Sequence, residues 1–165
     1  MRAVTSQPGG QSATAKFQTP TREQIVAISA KHVAMMETSD ADDTWIWVGM
    51  EHLLLRTVGR RSGNEHKVAL PFWVDEEGNR VIVASFSGAP DHPAWYLNLS
   101  DRDANPEVKI RVQQGLFWAD AQILEDSDYA ETWAGLTADR PWYDDYQSRT
   151  DRRIPLVRLI ELRPA

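Results

Sequence analysis

The chain has 165 residues, a net charge of −6 and no cysteine. Disulfides, thiol nucleophiles and cysteine metal sites are thereby excluded, and the acidic balance speaks against general nucleic-acid binding. The length suits one domain with one substantial core, and no apolar run nears the ~20 residues of a membrane span.

Residues Met1 to Pro20 are rich in Ser, Thr, Gln, Gly and Ala and read as a mobile tail before a single domain over 21–165. Thr21-Arg22-Glu23-Gln24 has the form of a capping box. Ile25, Ile28, His32, Met35 and Met36 then recur near helical spacing, which predicts a helix over about 22–38 with that face toward the core. His32 on it reads as a packed or rim histidine rather than a ligand. Ser39 to Asp43 breaks the helix and reads as a solvated turn, because the spaced ligands of a calcium loop are missing. Thr44 to Val48 is β-branched and aromatic and reads as a strand, followed by a second strand over 52–58.

The second strand feeds Gly59-Arg60-Arg61-Ser62-Gly63, with His66 and Lys67 just beyond. A basic, glycine-bounded turn in an acidic chain suits an anion, since backbone N–H groups and arginine forks both bind phosphate. The other reading is a solvated hairpin tip. Val68 to Val74 reads as a strand interrupted by Pro71, and Arg80 to Ser85 as another after a turn at Asp75–Asn79. A loop over Phe86–Pro90 leads to Asp91, read as the cap of a helix through Leu99. Glu107 to Val112 and Leu116 to Leu124 form a hairpin pattern. Ser127 to about Ala138 is helical, a short helix follows Arg140-Pro141, and Ile154 to Leu162 is the last strand. The expected class is mainly β (α+β), with about six or seven mostly antiparallel strands in a barrel or sandwich and flanking helices. His32, His52, His66 and His92 lack ligand spacing, so no metal site is expected.

Three stretches in this order carry a resemblance. They are Gly59 to Gly63; Val83-Ala84-Ser85 with His92 to Leu99 and Ala104-Asn105-Pro106; and Tyr143 to Gln147 with Thr150 to Pro155. Together they resemble the deazaflavin-dependent nitroreductase family of the split β-barrel flavin-binding superfamily, over about residues 50–163. The resemblance implies a split β-barrel, coenzyme F420, and hydride transfer to a hydrophobic acceptor such as a quinone, enone or nitro compound. It places Arg60, Arg61 and Ser62 at the coenzyme's phosphate and acidic tail. His66, Lys67, Val68, Ala69, Leu70 and Pro71 run beside the ring and ribityl chain. Val83, Ala84, Ser85 and Phe86 lie near the ring's polar edge. Ala94, Trp95 and Asn98 flank the tail. Tyr143 and Tyr146 close over the substrate face, and Ser85, Tyr143 or Tyr146 is the expected catalytic hydrogen-bond or proton donor. In this chain His66 stands where the family usually has arginine, and Phe86 where many members have lysine.

Two further readings stand beside this one: an FMN-dependent reductase on the same barrel, and a non-catalytic carrier of the coenzyme or a hydrophobic ligand. Tyr143 and Tyr146 also read as a core-capping pair. A cytoplasmic location is expected, with the N-terminal segment as an option for peripheral membrane contact. The oligomeric state stays open.

Overall fold

The computed structural model describes residues 20–165. The expected N-terminal tail lies, but for Pro20, outside the described residues. Helix α1 spans Arg22–Met36 and opens with the expected capping box: Thr21 accepts from the Gln24 N–H and the Gln24 side chain accepts from the Thr21 N–H. Its inner face differs from expectation. His32, Val33 and Met36 are buried, whereas Ile28 and Met35 are exposed. The stripe facing the sheet is thus turned by about one residue from the one the spacing suggested.

The expected strand over Thr44–Val48 is instead a helical turn, α2 (Asp42–Trp45), followed by a two-residue strand β1 (Ile46–Trp47). Two aspartates in the first turn favour the helix end, and the Trp45 indole N–H donates to Ser39 O at 2.9 Å, anchoring the turn. Val48 and Gly49 both have positive φ and make the tight reversal into β2 (Met50–Val58). The remaining strands are β3 (Glu65–Pro71), β4 (Trp73–Val74), β5 (Arg80–Val83), β6 (Val108–Val112), β7 (Gly115–Ile123) and β8 (Leu156–Pro164). Helix α3 (Ala94–Ser100) follows β5, and α4 (Asp126–Asp139) and α5 (Trp142–Ser148) precede β8. Asp91 does not cap α3. Pro93 holds the cap position, and Asp91 pairs with Arg22 at 3.2 Å.

All strand pairs are antiparallel, in the order β1-β2-β6-β7-β8-β5-β4, with β3 on β2. Leu53↔Leu70 and Leu55↔Val68 set the β2–β3 register. At Phe72 the chain leaves β2, and β4 pairs with β5 instead, Trp73 opposite Val81. The β3–β4 path therefore closes the ring at one end. At the other end, among the described residues, β3 has no strand partner on its second edge, and the barrel is split there. Helix α1 covers that edge, with the Ala69 N–H donating to Ser29 Oγ at 3.1 Å.

Alternation of side chains builds two layers. Leu53, Leu55, Val108, Ile110, Ala119 and Leu159 point into the barrel with Trp95 and Leu99 of α3. Val81, Leu124 and Leu156 point outward under Tyr129 and Leu136 of α4 and Tyr143 of α5. A third cluster joins Val33 and Met36 of α1 and Trp45 to Leu54 and Ala69.

The junction of α1 with β2 holds two buried histidines. His32 Nε2–H donates to Thr44 O at 2.6 Å, and its ring stacks on Trp47 at 3.5 Å. His52 Nδ1–H donates to Met50 O at 2.9 Å. Burial pushes His52 from 6.5 down to about 4. The folded protein therefore keeps His52 neutral down to about that pH, while the unfolded chain protonates it near the ordinary value. Its contribution to stability is complete above pH 6.5 and falls as the pH drops toward 4, by roughly 3 kcal/mol in all. Urea unfolding of wild type and His52→Asn between pH 7.5 and 4.5 is expected to show this loss in the wild type and a flatter profile in the variant.

Candidate active site

The basic turn is rigid and is tied to α3. Gly59 N–H donates to Asn64 O at 2.8 Å, and Gly63 N–H to Gly59 O at 2.9 Å. Position 59 admits no side chain, since a Cβ there would lie 2.5 Å from Ser62 Oγ and 2.7 Å from His66 Nε2. Arg60 is half-buried. Its N–H and its Nη1 both donate to Asn98 Oδ1, at 3.3 and 3.0 Å. Asn105 locks the arrangement: its Nδ2 donates to Val58 O and Asn98 O, each at 2.8 Å, and its Oδ1 accepts from the Val58 N–H at 2.7 Å. Five polar contacts, four part-buried and one buried, thus fix where the Arg60 backbone and the first guanidinium nitrogen sit. Asn98 and Asn105 are themselves buried. Arg61, Ser62 and His66 are exposed. Lys67 is turned away toward α1, where it bonds Glu37.

Along β3, Val68 and Leu70 are half-buried against the barrel core. Ala69 is buried under α1, and Pro71 sits opposite His52.

The chain after β5 forms a second tightly held turn. Val83 packs on the outer layer, Ala84 is fully buried and Ser85 is half-buried. Phe86 and Ser87 have φ of 45° and 54°, and Gly88 has 77°. Two consecutive non-glycine residues in the left-handed region store strain. The surroundings hold them there. Gly88 packs so close to α5 that a Cβ would lie 2.6 Å from Tyr146 O. Arg152 supplies the main anchor, donating to Ala84 O (3.1 Å), Ser85 O (2.8 Å), Ala89 O (2.9 Å) and His92 Nδ1 (3.1 Å). Arginine only donates, so His92 Nδ1 accepts and the imidazole is neutral. Burial, with the Arg152 charge, holds His92 below its ordinary pKa. Gln147 braces Arg152 from behind, donating to Arg152 O at 2.8 Å and accepting from the Ile154 N–H at 2.9 Å. From the other side Arg22 of α1 lies over the Phe86 ring, 5.3 Å from its centroid.

The helical residues fall in different surroundings. Ala94 is exposed, and Trp95 is part of the barrel core, edge-on to Tyr96. Tyr143 is only 4% exposed and belongs to the outer layer. Burial pushes its hydroxyl pKa up, with the Arg140 guanidinium beside it. Tyr146 is half-buried, its ring edge-on to Tyr143 at 5.9 Å.

The fold therefore joins the basic turn to α3 through Asn98 and Asn105, and the strained turn to α5 through Arg152 and Gly88. Asn98 spends its side-chain oxygen on Arg60. Reasoning from the sequence assigned no site role to Asn105, Arg152, Gln147 and Arg22, although the first three stand within the motifs that carried the resemblance. A cavity of about 120 Å³ lies elsewhere, at the closed end of the barrel, among Trp45, His52, Phe72, Arg80, Val112 and Gln113. Among the described residues no three His, Cys, Asp or Glu side chains gather to hold a metal ion, and no helix is long and apolar enough to cross a membrane.

The antiparallel half-barrel with its flanking helices has the fold of a solved coenzyme-dependent reductase. Comparison with known proteins gives the particular family. The sequence model of the F420H2-dependent quinone reductase family matches residues 28–161, and the chain belongs to that family. An F420H2-dependent quinone reductase of Mycobacterium tuberculosis is 38% identical over 108 residues, covering 64% of this chain and 70% of the relative. The solved structure of an F420H2-dependent reductase is similar with a TM-score of 0.55 and 34% identity, over 66% of this chain and 92% of that one. A structure described as a domain-swapped dimer is similar with a TM-score of 0.58 and 29% identity, over 79% and 95% of the two chains.

The residues present fit a phosphate-bearing coenzyme. The basic turn supplies one fixed and one exposed guanidinium, a hydroxyl and a turn too tight for a side chain at Gly59.

Proposed function

We propose that this protein transfers a hydride from reduced coenzyme F420 to a quinone bound at the split of the barrel. The observation that carries the reading is the Arg60 turn, locked to α3 by Asn98 and Asn105 with Arg61 and Ser62 exposed beside it. When bound, the reduced coenzyme supplies the hydride. Arg60, Arg61 and Ser62 hold its phosphate and acidic tail, with guanidinium forks and backbone N–H groups suited to phosphate. His66 to Pro71 form one wall beside the ring and ribityl chain, and Val83 to Phe86 the other. Ser85 offers a hydrogen bond at the ring's polar edge. Asn98 acts through Arg60, and Ala94 and Trp95 frame the end of α3. Helix α1 covers the free edge of β3 and excludes water.

A quinone that gains a hydride becomes an anion and then takes one proton, giving the quinol. Tyr143 and Tyr146 serve the acceptor side. Burial keeps the Tyr143 hydroxyl protonated at neutral pH, which suits a group that donates a hydrogen bond or a proton to a developing oxyanion.

Titration of the protein with oxidised F420, followed by coenzyme fluorescence, tests the site, with FMN titrated in parallel. Saturable binding of F420 with weaker or absent FMN binding is expected. Tight FMN binding without F420 binding would instead support the FMN enzyme, and binding of neither would contradict the coenzyme site.

A further inference from the structure

The closed end of the barrel holds a cavity that the coenzyme reading leaves unused. It measures about 120 Å³, close to the roughly 150 Å³ of a cavity that holds one benzene ring. Trp45, Phe72 and Val112 form its buried floor, and Glu51, Gly78 and Gln114 its exposed rim. Arg80 lines it from the barrel interior. It stands opposite Leu159 and shares a strand face with Ile82, both core residues, so its side chain points inward with theirs. Its guanidinium lies over the Phe72 and Phe117 rings, 5.5 and 5.0 Å from their centroids. Among the described residues it makes one ion pair, to the exposed Glu161 at 3.5 Å, and no shorter polar contact. A charge turned into a barrel needs acceptors, and five N–H donors are poorly served by one loose pair. The other polar groups of the cavity do not serve them. The Gln113 amide donates to Asp40 O at 2.9 Å and Asp42 Oδ1 at 2.7 Å, and the His52 ring packs toward His32 at 4.9 Å.

We propose that this cavity is a separate small-molecule site that takes a single-ring aromatic carboxylate, with the carboxylate on Arg80 and the ring on the floor of Trp45, Phe72 and Val112. A guanidinium matches a carboxylate with two parallel hydrogen bonds, and an apolar floor with few polar groups suits a flat ring. Glu51 at the rim, unpaired among the described residues, sets a second condition. Its charge disfavours a ligand with a second negative group at the mouth. Glu51 and the Arg60 turn stand at the two ends of β2, which is nine residues long, so roughly 25 Å separates them. The site is therefore distinct from the basic turn and does not depend on the coenzyme reading.

The probes are 4-fluorobenzoate and its neutral isostere 4-fluorobenzamide, titrated into the full chain and followed by fluorine NMR. Wild type is expected to bind the acid saturably and at least ~10-fold more tightly than the amide, as charge-assisted hydrogen bonds would give. Arg80→Met is expected to abolish that preference. Glu51→Gln is expected to tighten binding of the acid by about 2–5-fold, because it removes a like charge from the rim. A gain in affinity does not arise from misfolding, so this arm stands even if Arg80→Met fails to fold. The Arg60→Ala, Arg61→Ala variant is expected to bind the acid as wild type does, and loss of binding there would place the probe at the basic turn and overturn the proposal. Equal binding of acid and amide, no binding of either, or wild-type affinities in folded Arg80→Met or in Glu51→Gln would each overturn it too. Failure of wild type to bind F420 would overturn the coenzyme reading alone, because the probes are measured without the coenzyme.

Discussion

Replacing Arg60 and Arg61 together by alanine is expected to weaken F420 binding by about 100-fold, with little change in thermal stability. Each guanidinium offers charge-assisted hydrogen bonds to a phosphate, and such bonds contribute roughly 1.5–3 kcal/mol each. The two side chains do different jobs. Arg60 is held by Asn98, so its geometry is preset and little entropy is lost on binding. Arg61 is exposed, and its part is long-range attraction within an acidic protein. Binding of the double variant should therefore lose most of its dependence on salt. Fluorescence titration at two ionic strengths measures both effects, and wild-type affinity in the variant would remove the basic turn from the site.

The second large effect is expected at Arg152. Its guanidinium satisfies three backbone carbonyls and one imidazole nitrogen across the wall from Ala84 to His92. Arg152→Met removes all four contacts and leaves partly buried acceptors without donors, at about 1–3 kcal/mol for each group left unsatisfied. A total of roughly 3 kcal/mol corresponds to a fall in melting temperature of about 6–12 °C for a chain of this size. The same loss releases the strained conformations of Phe86 and Ser87, so the Ser85 wall should lose its shape and F420 binding should weaken as well. Lysine is not expected to rescue either property, because one ammonium does not reproduce a planar fork reaching four acceptors. Calorimetry with F420 titration on Arg152→Met and Arg152→Lys gives the check. A variant with wild-type melting temperature would mean the wall is held by other contacts.

Much of the barrel was legible because strand burial follows period two. Val108, Ile110 and Val112 face in while Lys109 and Arg111 face out, as their alternation indicates. The capping box of α1 was legible because all of its partners lie within four residues. The basic turn was legible because its glycines and charges are contiguous. What escaped is long-range. The bonds from Arg60 to Asn98 span 38 residues and those from Arg152 to Ser85 span 67, and nothing local marks them. The helical turn Asp42–Trp45 escaped because a β-branched and aromatic run favours a strand, whereas burial of Trp45 against Ser39 and α1 decides for the helix. The face of α1 was misjudged because apolar side chains lie on both sides of it, with Val33 and Met36 inward and Val26, Ile28 and Met35 outward. Of the aromatic pair Tyr143 and Tyr146, Tyr143 is built into the outer layer, with the Arg140 guanidinium beside its hydroxyl.

The most direct test of the account is the rate at which purified protein oxidises reduced F420 with a naphthoquinone, followed by the return of the oxidised coenzyme's absorbance. The account predicts saturable turnover with F420H2 that slows when the transferred hydrogen is deuterium and falls at least ~10-fold in the Arg60→Ala, Arg61→Ala variant at subsaturating coenzyme. Oxidation no faster than in the absence of protein, with the folded chain and saturating quinone, would contradict it.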